Sequence, residues 1–335
     1  MQEYVKALVE IFRQAPNKHE ANYRSRQVLE DASGDPSFFT AALDHHLRQP
    51  GSLNKKHYPV VGLDIDLNPY FGLVANCWIP LPDQSTEIST KAIHHHGDML
   101  LSTVTAYGPG YEHWTFTKPE PVDPATERYT MNVIDREPHS QNHVAFVDSY
   151  VAHLPFYPPK MSVTYALWSS RFPTTWKDRV KRVPLLQRNS QTLRDLAARA
   201  GLKRQLELKV VEYFDFYPTD QGFCGIRERT EFERGPNSDY LYSLFQVVQE
   251  TGNEQLGALI SEKLNSDEVI ENRELVSQLL SELKQGRRIE GRLSPMHYGI
   301  AQANFTKREI EQALAAQTAV RYGQPTSAPS FPPAI

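Results

Sequence analysis

The sequence has few cysteines, no long hydrophobic run and no strong excess of charge. Only Cys77 and Cys224 occur in 335 residues, which excludes a fold held together by several disulfides. No run of about eighteen apolar residues is present, so no membrane-spanning helix and no membrane partner are expected. The first residues, MQEYVKALVEIFRQ, mix charged with apolar side chains, unlike the core of a secretory signal. We therefore expect a cytoplasmic protein.

The charge of the chain is nearly balanced, with 36 lysines and arginines against 40 acidic residues and a net charge of −4. Such a surface creates no overall field that would attract a phosphate backbone or an anionic membrane. Nucleic acid is therefore not an expected partner. The twelve histidines become the most informative side chains.

Helical patterns flank a central β-rich region. Tyr4, Leu8 and Phe12 recur at helical spacing, and Asp35 followed by Pro36 is typical of the capped start of a second helix. After them, short runs rich in β-branched and aromatic residues alternate with Pro, Gly and Asp, over about 59–67, 71–80, 89–96, 99–107, 111–117, 128–134, 143–151 and 161–169. Short strands at such intervals are typical of a closed barrel or jelly roll.

The pattern changes again after the last of these runs. Arg188–Ala200 indicates a helix and Leu206–Phe216 a late strand. Beyond residue 237 four segments carry apolar stripes at helical spacing, and Thr306 with Glu309 forms a capping box. The final stretch, GQPTSAPSFPPAI, is rich in Pro and Ser and is expected to be disordered.

These changes divide the chain into five parts. We predict a mainly β protein with added α-helices, organised as an N-terminal helical segment (1–57), a barrel (58–172), a connecting region with an added strand (173–236), a C-terminal helical region (237–322) and a tail (323–335). The apolar stripes of the C-terminal helices require burial, so these helices pack on the barrel, cover its mouth or form a homodimer interface.

The segment KAIHHHGDMLLSTVTAYG contains the strongest chemical signal. Side chains on a strand alternate between faces, so His94 and His96 project to one side and His95 to the other. Two neutral imidazoles converge well inside a barrel when a divalent metal ion accepts both lone pairs. A third ligand must then come from another strand.

This segment resembles the first motif of the cupin family, which is His-x-His, four further residues, Glu, six residues and Gly. Here His94 and His96 are followed at those intervals by Leu101 and Gly108. Leucine offers no electron pair to a metal, so the resemblance implies a site of three histidines without the family's glutamate. It also implies a cupin-type jelly-roll β-barrel over about residues 58–170.

The second cupin motif implies where the third histidine stands. That motif places its histidine near the end of a strand, shortly before the next one. His153 stands in such a place, with MSVTYALW as the strand that follows. His143, earlier in the same segment, is the alternative third ligand.

Within the cupins, the chain most resembles thiol dioxygenases of the cysteine dioxygenase type. These enzymes replace the motif glutamate, hold iron through three histidines and have a helical segment before the barrel, and PYFGLVANCW resembles their strand before His-x-His. Their substrate-binding arginine has no counterpart, since Val61 falls near its place. Their Ser, His and Tyr trio is replaced by Ser162, Thr164 and Ala166. The resemblance therefore implies an iron site but not a thiol substrate.

The leading hypothesis is a mononuclear non-haem Fe(II) oxygenase, an oxidoreductase that uses O2 and a small-molecule substrate. Glu112, His113 and Tyr107 are the candidate catalytic and pocket residues near the histidines. A second hypothesis keeps the site but binds Zn, Ni or Mn, as a hydrolase, lyase or isomerase with Glu112 or His113 as general base. A third is a non-enzymatic metal-binding or interaction module whose C-terminal helices recruit a protein partner.

Overall fold

A computed structural model describes residues 1–56, 60–123, 127–169, 214–226, 236–290 and 304–321. The described helices before the barrel are α1 (Gln2–Gln14), α2 (Lys18–Ser33) and α3 (Pro36–Arg48), and those after it are α4 (Asn237–Thr251), α5 (Glu254–Leu264), α6 (Arg273–Lys284) and α7 (Lys307–Arg321). The predicted helix Arg188–Ala200 and the tail 323–335 lie outside the described residues. No helix in the described ranges combines the length and apolar character needed to cross a membrane.

Two antiparallel sheets form the centre of the molecule. The five-stranded sheet has the spatial order β1 (Val60–Leu67), β2 (Phe71–Trp78), β11 (Ser162–Ser169), β4 (Leu101–Tyr107) and β9 (Val144–Val147). The eight-stranded sheet has the order β6 (Glu120–Asp123), β7 (Arg128–Thr130), β13 (Gly222–Ile226), β12 (Phe214–Thr219), β3 (Ile93–His95), β10 (His153–Pro155), β5 (His113–Phe116) and β8 (Val133–Asp135).

The chain crosses between the sheets at successive strands. It passes from β2 to β3, β4 and β5, and later from β9 to β10 and β11, changing sheet at every one of these steps. A jelly roll is built by such crossings between two facing antiparallel sheets. The predicted fold class, a jelly-roll β-barrel with helices at both ends, is therefore confirmed.

The outer face of the five-stranded sheet packs on the helices. Alternate residues of the strands join one apolar core with α1 to α6, and aromatic pairs connect the layers. Phe12 of α1 lies 5.0 Å from Phe71 of β2, and Phe38 of α3 lies 4.8 Å from Tyr165 of β11, between ring centroids. Each fully buried side chain of this size contributes about 1.5–3 kcal/mol.

The outer face of the eight-stranded sheet packs on α7. Ile93, Trp114 and Leu154 lie in a second core with Ile310 and Ala313 of that helix. The predicted capping box begins the helix, because the Thr306 hydroxyl donates to the Glu309 carboxylate at 2.8 Å and the Glu309 amide donates to Thr306 Oγ1 at 3.2 Å. Helices therefore cover both outer faces, and the site lies between the sheets.

Several described elements differ from the sequence-based expectation, and among them the short strands β6 and β10 lie between the predicted runs. The helix α2 was not predicted, since its sequence KHEANYRSRQVLEDAS has few apolar residues to form a stripe. The strand β13 was also not predicted, and it forms a hairpin with β12 that extends the eight-stranded sheet beside β3. The five-part division of the chain stays a prediction, although the N-terminal and C-terminal helices share one core.

Candidate metal centre

The interior of the barrel is lined by polar and aromatic side chains. Thr103 and Thr105 of β4 are buried inside it, whereas Val104 between them belongs to the helix-covered core. Thr164 of β11 likewise faces inwards and accepts a hydrogen bond from Trp78 Nε1 at 2.8 Å. The strand alternation thus sends the aliphatic residues outwards to the helices. A polar interior of this kind suits a binding site better than a packed core.

His94, His96 and His153 converge on the inner face of the eight-stranded sheet, and we call them the histidine cluster. His94 lies directly opposite His153 in the pair of β3 with β10, and their ring centroids are 4.3 Å apart. The ring of His96, just after β3, lies 4.7 Å from that of His94 and 4.8 Å from that of His153. One ring nitrogen from each lies within 4.8 Å of the others, and all three residues are buried.

Main-chain carbonyls set which ring nitrogen faces the centre of the cluster. Nδ1 of His94 lies 3.0 Å from the carbonyl oxygen of Ala92, and Nδ1 of His153 lies 3.4 Å from that of Val151. A carbonyl oxygen accepts hydrogen bonds and never donates them, so each Nδ1 carries the proton and each Nε2 presents a lone pair. Ligating histidines usually have such a partner on the other ring nitrogen.

The Nε2 atoms have the surroundings that a metal ion would satisfy. Nε2 of His94 is buried without a hydrogen-bond partner among the described residues. Nε2 of His153 lies 3.1 Å from Nε2 of His96. Lone pairs brought this close repel each other unless a proton or a cation lies between them. The donor set therefore fits a divalent ion of the kind that imidazole binds.

Burial keeps His94 and His153 neutral. Desolvation lowers the pKa of His153 to about 3 and holds the pKa of His94 well below its usual range, and the nearby positive charge of Lys91 adds to both effects. Imidazole must be neutral to donate an electron pair. These two histidines are therefore in the ligating state at neutral pH without any metal to displace their protons.

No carboxylate or thiolate joins the histidine cluster within the described part of the chain. Leu101, at the position of the cupin glutamate, lies opposite Trp168 across β4 and β11 and packs with it. The Trp168 ring in turn lies 4.2 Å from that of His96. Leu101 and Trp168 thus form an apolar wall at the position where the cupin motif has a glutamate.

The structure brings one of the three candidate catalytic residues to the cluster. His113 is buried and its ring lies 5.3 Å from that of His153. Glu112 faces the opposite side of β5, where it accepts hydrogen bonds from Trp114 Nε1 and, at 2.6 Å, from Lys307 Nζ of α7. Tyr107 lies at the end of β4 remote from Leu101, is half-exposed and donates to Glu250 of α4. His143, the alternative third ligand, is exposed and outside the cluster.

His139 belongs to the same interior, and the sequence did not indicate it. Its two ring nitrogens lie 3.2 Å from Thr103 Oγ1 and 2.9 Å from Thr105 Oγ1, and the ring stacks on Tyr111 at 5.1 Å. Burial lowers its pKa to about 4. Its ring lies 6.2 Å from that of His113. His113 and His139 thus extend the group of buried imidazoles from the cluster towards β9. His139 lies in a loop without periodicity, and only its residue type could have marked it.

No protein-family model matches this chain, and no curated protein matches its sequence. Solved structures with similarity include a Klebsiella pneumoniae protein with a double-stranded β-helix domain, with 10% identity, a TM-score of 0.22, and 38% of this chain and 85% of that chain covered. The cupin domain of Schizosaccharomyces pombe Cnp3 has 9% identity and a TM-score of 0.23, with 37% and 69% covered. The Ruegeria pomeroyi DMSP lyase DddQ has 12% identity and a TM-score of 0.19, with 32% and 42% covered.

Proposed function

We propose that the histidine cluster binds Fe(II) and that the protein is a mononuclear non-haem oxygenase of a small organic substrate. The observation that carries the proposal is the convergence of three buried imidazoles, one of which, His94, has an Nε2 without a hydrogen-bond partner in the described residues. Three neutral ligands bring no negative charge into direct contact with the ion, which favours binding of an electron-rich substrate beside it. When bound, iron supplies the O2 chemistry that side chains lack.

The residues of the chain have distinct tasks in this proposal. The carbonyl oxygens of Ala92 and Val151 hold the His94 and His153 rings in one orientation. Trp168 packs against His96 and keeps water from that side of the cluster. Preorganisation by the main chain limits the side-chain rearrangement that is needed when the metal enters.

Oxygen consumption tests the proposal. The purified chain would be loaded with Fe(II) without air, then mixed with air-saturated buffer and a panel of small amines, thiols and hydroxy compounds. We expect oxygen uptake above that of free iron with at least one compound, and none with His94→Ala at the same iron concentration. His45→Ala, a histidine of α3 outside both the barrel and the histidine cluster, is the control and should behave like the native protein. A chain that binds zinc but not iron, or that gives no uptake with the whole panel, would contradict the oxygenase.

A second candidate function uses the same cluster with Zn, Ni or Mn acting as a Lewis acid in a hydrolase, lyase or isomerase. The position of His113 favours it, because an imidazole next to the cluster is well placed to accept a proton from a substrate or from bound water. Substrate turnover under argon by the zinc-loaded chain, lost in His113→Gln while zinc is retained, would support this function. Turnover that requires O2 would exclude it.

A further inference from the structure

A small pocket opens between the free edges of the two sheets. The strand β8 ends the eight-stranded sheet and β9 ends the five-stranded sheet, and the space between them has a volume of about 160 Å³. Cavities of about 150 Å³ in other proteins bind benzene. The pocket is therefore large enough for a molecule of a few heavy atoms.

His113 connects this pocket to the histidine cluster. Its side chain is 8% exposed and lines the pocket, and no side-chain hydrogen bond joins it to another described residue. A molecule bound in the pocket can therefore form a hydrogen bond with this imidazole. Since the His113 ring lies 5.3 Å from that of His153, a molecule in the pocket lies one side chain from the cluster.

The lining of the pocket includes two carboxylates and three histidines. Asp135 and Glu137 are exposed at its rim, and no lysine or arginine lines it. Arg136, between them in sequence, faces the other way, because it pairs with Glu311 of α7 at 2.8 Å and lies 4.3 Å above the Trp114 ring. Both carboxylates thus line the pocket, and neither forms an ion pair with a described residue.

Two further features favour a cation in this place. The half-exposed ring of Phe146 also lines the pocket, and aromatic faces attract ammonium groups. Lys91, whose charge acts on the histidine cluster, does not line the pocket. The pocket therefore suits a molecule with a cationic end, which the carboxylates and Phe146 attract, and an electron-rich end directed towards the histidine cluster.

We propose that the pocket between β8 and β9 (the acidic pocket) admits the substrate of the cluster, and that this substrate carries an ammonium group. The role as substrate entry rests on the function proposed above. The ammonium group contacts Asp135 and Glu137 at the rim, and the rest of the molecule extends past His113 towards the cluster. The acidic pocket thereby selects small amines over neutral or anionic molecules of the same size.

Binding of three matched probes tests the selection. 2-Aminoethanol, ethylene glycol and glycolate differ in charge but little in size, and their dissociation constants would be measured by NMR titration of the full chain at low salt. We expect 2-aminoethanol to bind about tenfold more tightly than ethylene glycol, because two exposed carboxylates attract its ammonium group. Glycolate, which is negatively charged, should bind most weakly. The preference should fall as salt is added, since the rim is exposed.

Variants assign the preference to the acidic pocket. In Asp135→Asn/Glu137→Gln, the tenfold preference should fall to about twofold or less, because the shape is kept and the charge is lost. Asp64→Asn, an exposed strand carboxylate on β1 at the opposite edge of the five-stranded sheet, is the control and should keep the preference. Equal binding of the three probes by the native chain, or a preference that survives in the double variant, would overturn the proposal.

The titration is carried out both without metal and with Zn(II), which separates the two proposals. A preference for 2-aminoethanol in a chain that binds no metal would support a cation-binding pocket while removing the oxygenase. Tight metal binding without any preference for 2-aminoethanol would contradict the proposal of an amine substrate but would be consistent with the proposed metal site.

Discussion

His94 and His153 lie opposite each other on neighbouring antiparallel strands, and each directs Nδ1 to the main-chain carbonyl two residues before it in the chain. The same local arrangement on both strands turns both Nε2 atoms to one point. The orientation of the rings therefore depends on strand register and main-chain geometry. Neither ring relies on another side chain to set its tautomer.

The first prediction concerns the third ligand. His153→Ala should lower the affinity for Zn(II) or Fe(II) by at least about a hundredfold, because it removes one of three converging donors. His143→Ala should leave the affinity unchanged, since that side chain is exposed and outside the cluster. Competition with a chelator of known affinity measures both. A larger loss in His143→Ala than in His153→Ala would reverse the assignment.

The second prediction is a loss of stability of the metal-free chain in mild acid. Burial lowers the pKa of His46 and His153 to about 3, and that of His95 and His139 to about 4. In the unfolded chain histidine titrates near pH 6.5, so below that pH the unfolded state binds more protons than the folded state. Below pH 6.5, the free energy of unfolding should therefore fall by about 1.4 kcal/mol for each unit by which the pH is lowered, for each such histidine.

Urea unfolding between pH 7.5 and pH 5 measures this slope, which is small above pH 6.5 and steepens below it. His46 lies outside the barrel, where Nε2 is 2.9 Å from the Tyr240 hydroxyl, so His46→Gln should reduce the slope by one proton without affecting the cluster. A stability that stays constant over this range would mean that the histidines are not buried in the neutral form.

The third prediction concerns Gly108, the glycine of the His-x-His motif. Its φ is +78°, and a Cβ at this position would lie 2.1 Å from the carbonyl oxygen of Met161. Gly108→Ala should therefore lower the free energy of unfolding by at least about 2 kcal/mol. Gly62→Ala is the matched control, because its nearest contact would be 3.8 Å away, and it should change stability by about 0.5 kcal/mol or less. Equal midpoints of urea unfolding for the two variants would contradict this reading.

The fourth prediction assigns Glu112 to the contact between β5 and α7. Glu112→Gln weakens the 2.6 Å ion pair with Lys307, whose side chain is only 15% exposed, and should cost about 1 kcal/mol. Metal content should not change. Glu10→Gln removes a fully surface pair with Arg13 and should cost almost nothing. Thermal unfolding and metal analysis of Glu112→Gln test this structural role. If Glu112 instead acted in the histidine cluster, the variant would have an altered metal content.

Strand alternation made much of the site predictable. It placed His94 and His96 on one face, and the structure places His95 on the other, where its ring lies 6.0 Å from that of Phe216 in the α7 core. The motif spacing to Gly108 indicated the jelly roll, and the crossings between sheets confirm it. Local periodicity and the His-x-His motif were thus sufficient for the fold class and for His94 and His96, whereas His153 required the resemblance to the second cupin motif.

The remaining parts depend on contacts between distant segments. His113 borders the cluster and Glu112 does not, because the side of β5 that carries His113 faces the interior. That orientation is set by the pairing of β5 with β10. His139 enters the interior from a loop, and the acidic pocket exists because β8 and β9 end two different sheets. A single sequence contains no local signal for such long-range pairings.

Metal analysis of the native chain and of His94→Ala tests the central claim most directly. We expect close to one equivalent of a divalent first-row metal per native chain after loading and dialysis, and less than about a tenth of that in His94→Ala under the same conditions. Circular dichroism of both proteins establishes that the variant is folded. A native chain that retains no metal, or a folded His94→Ala that retains as much as the native chain, would contradict a metal centre formed by His94, His96 and His153.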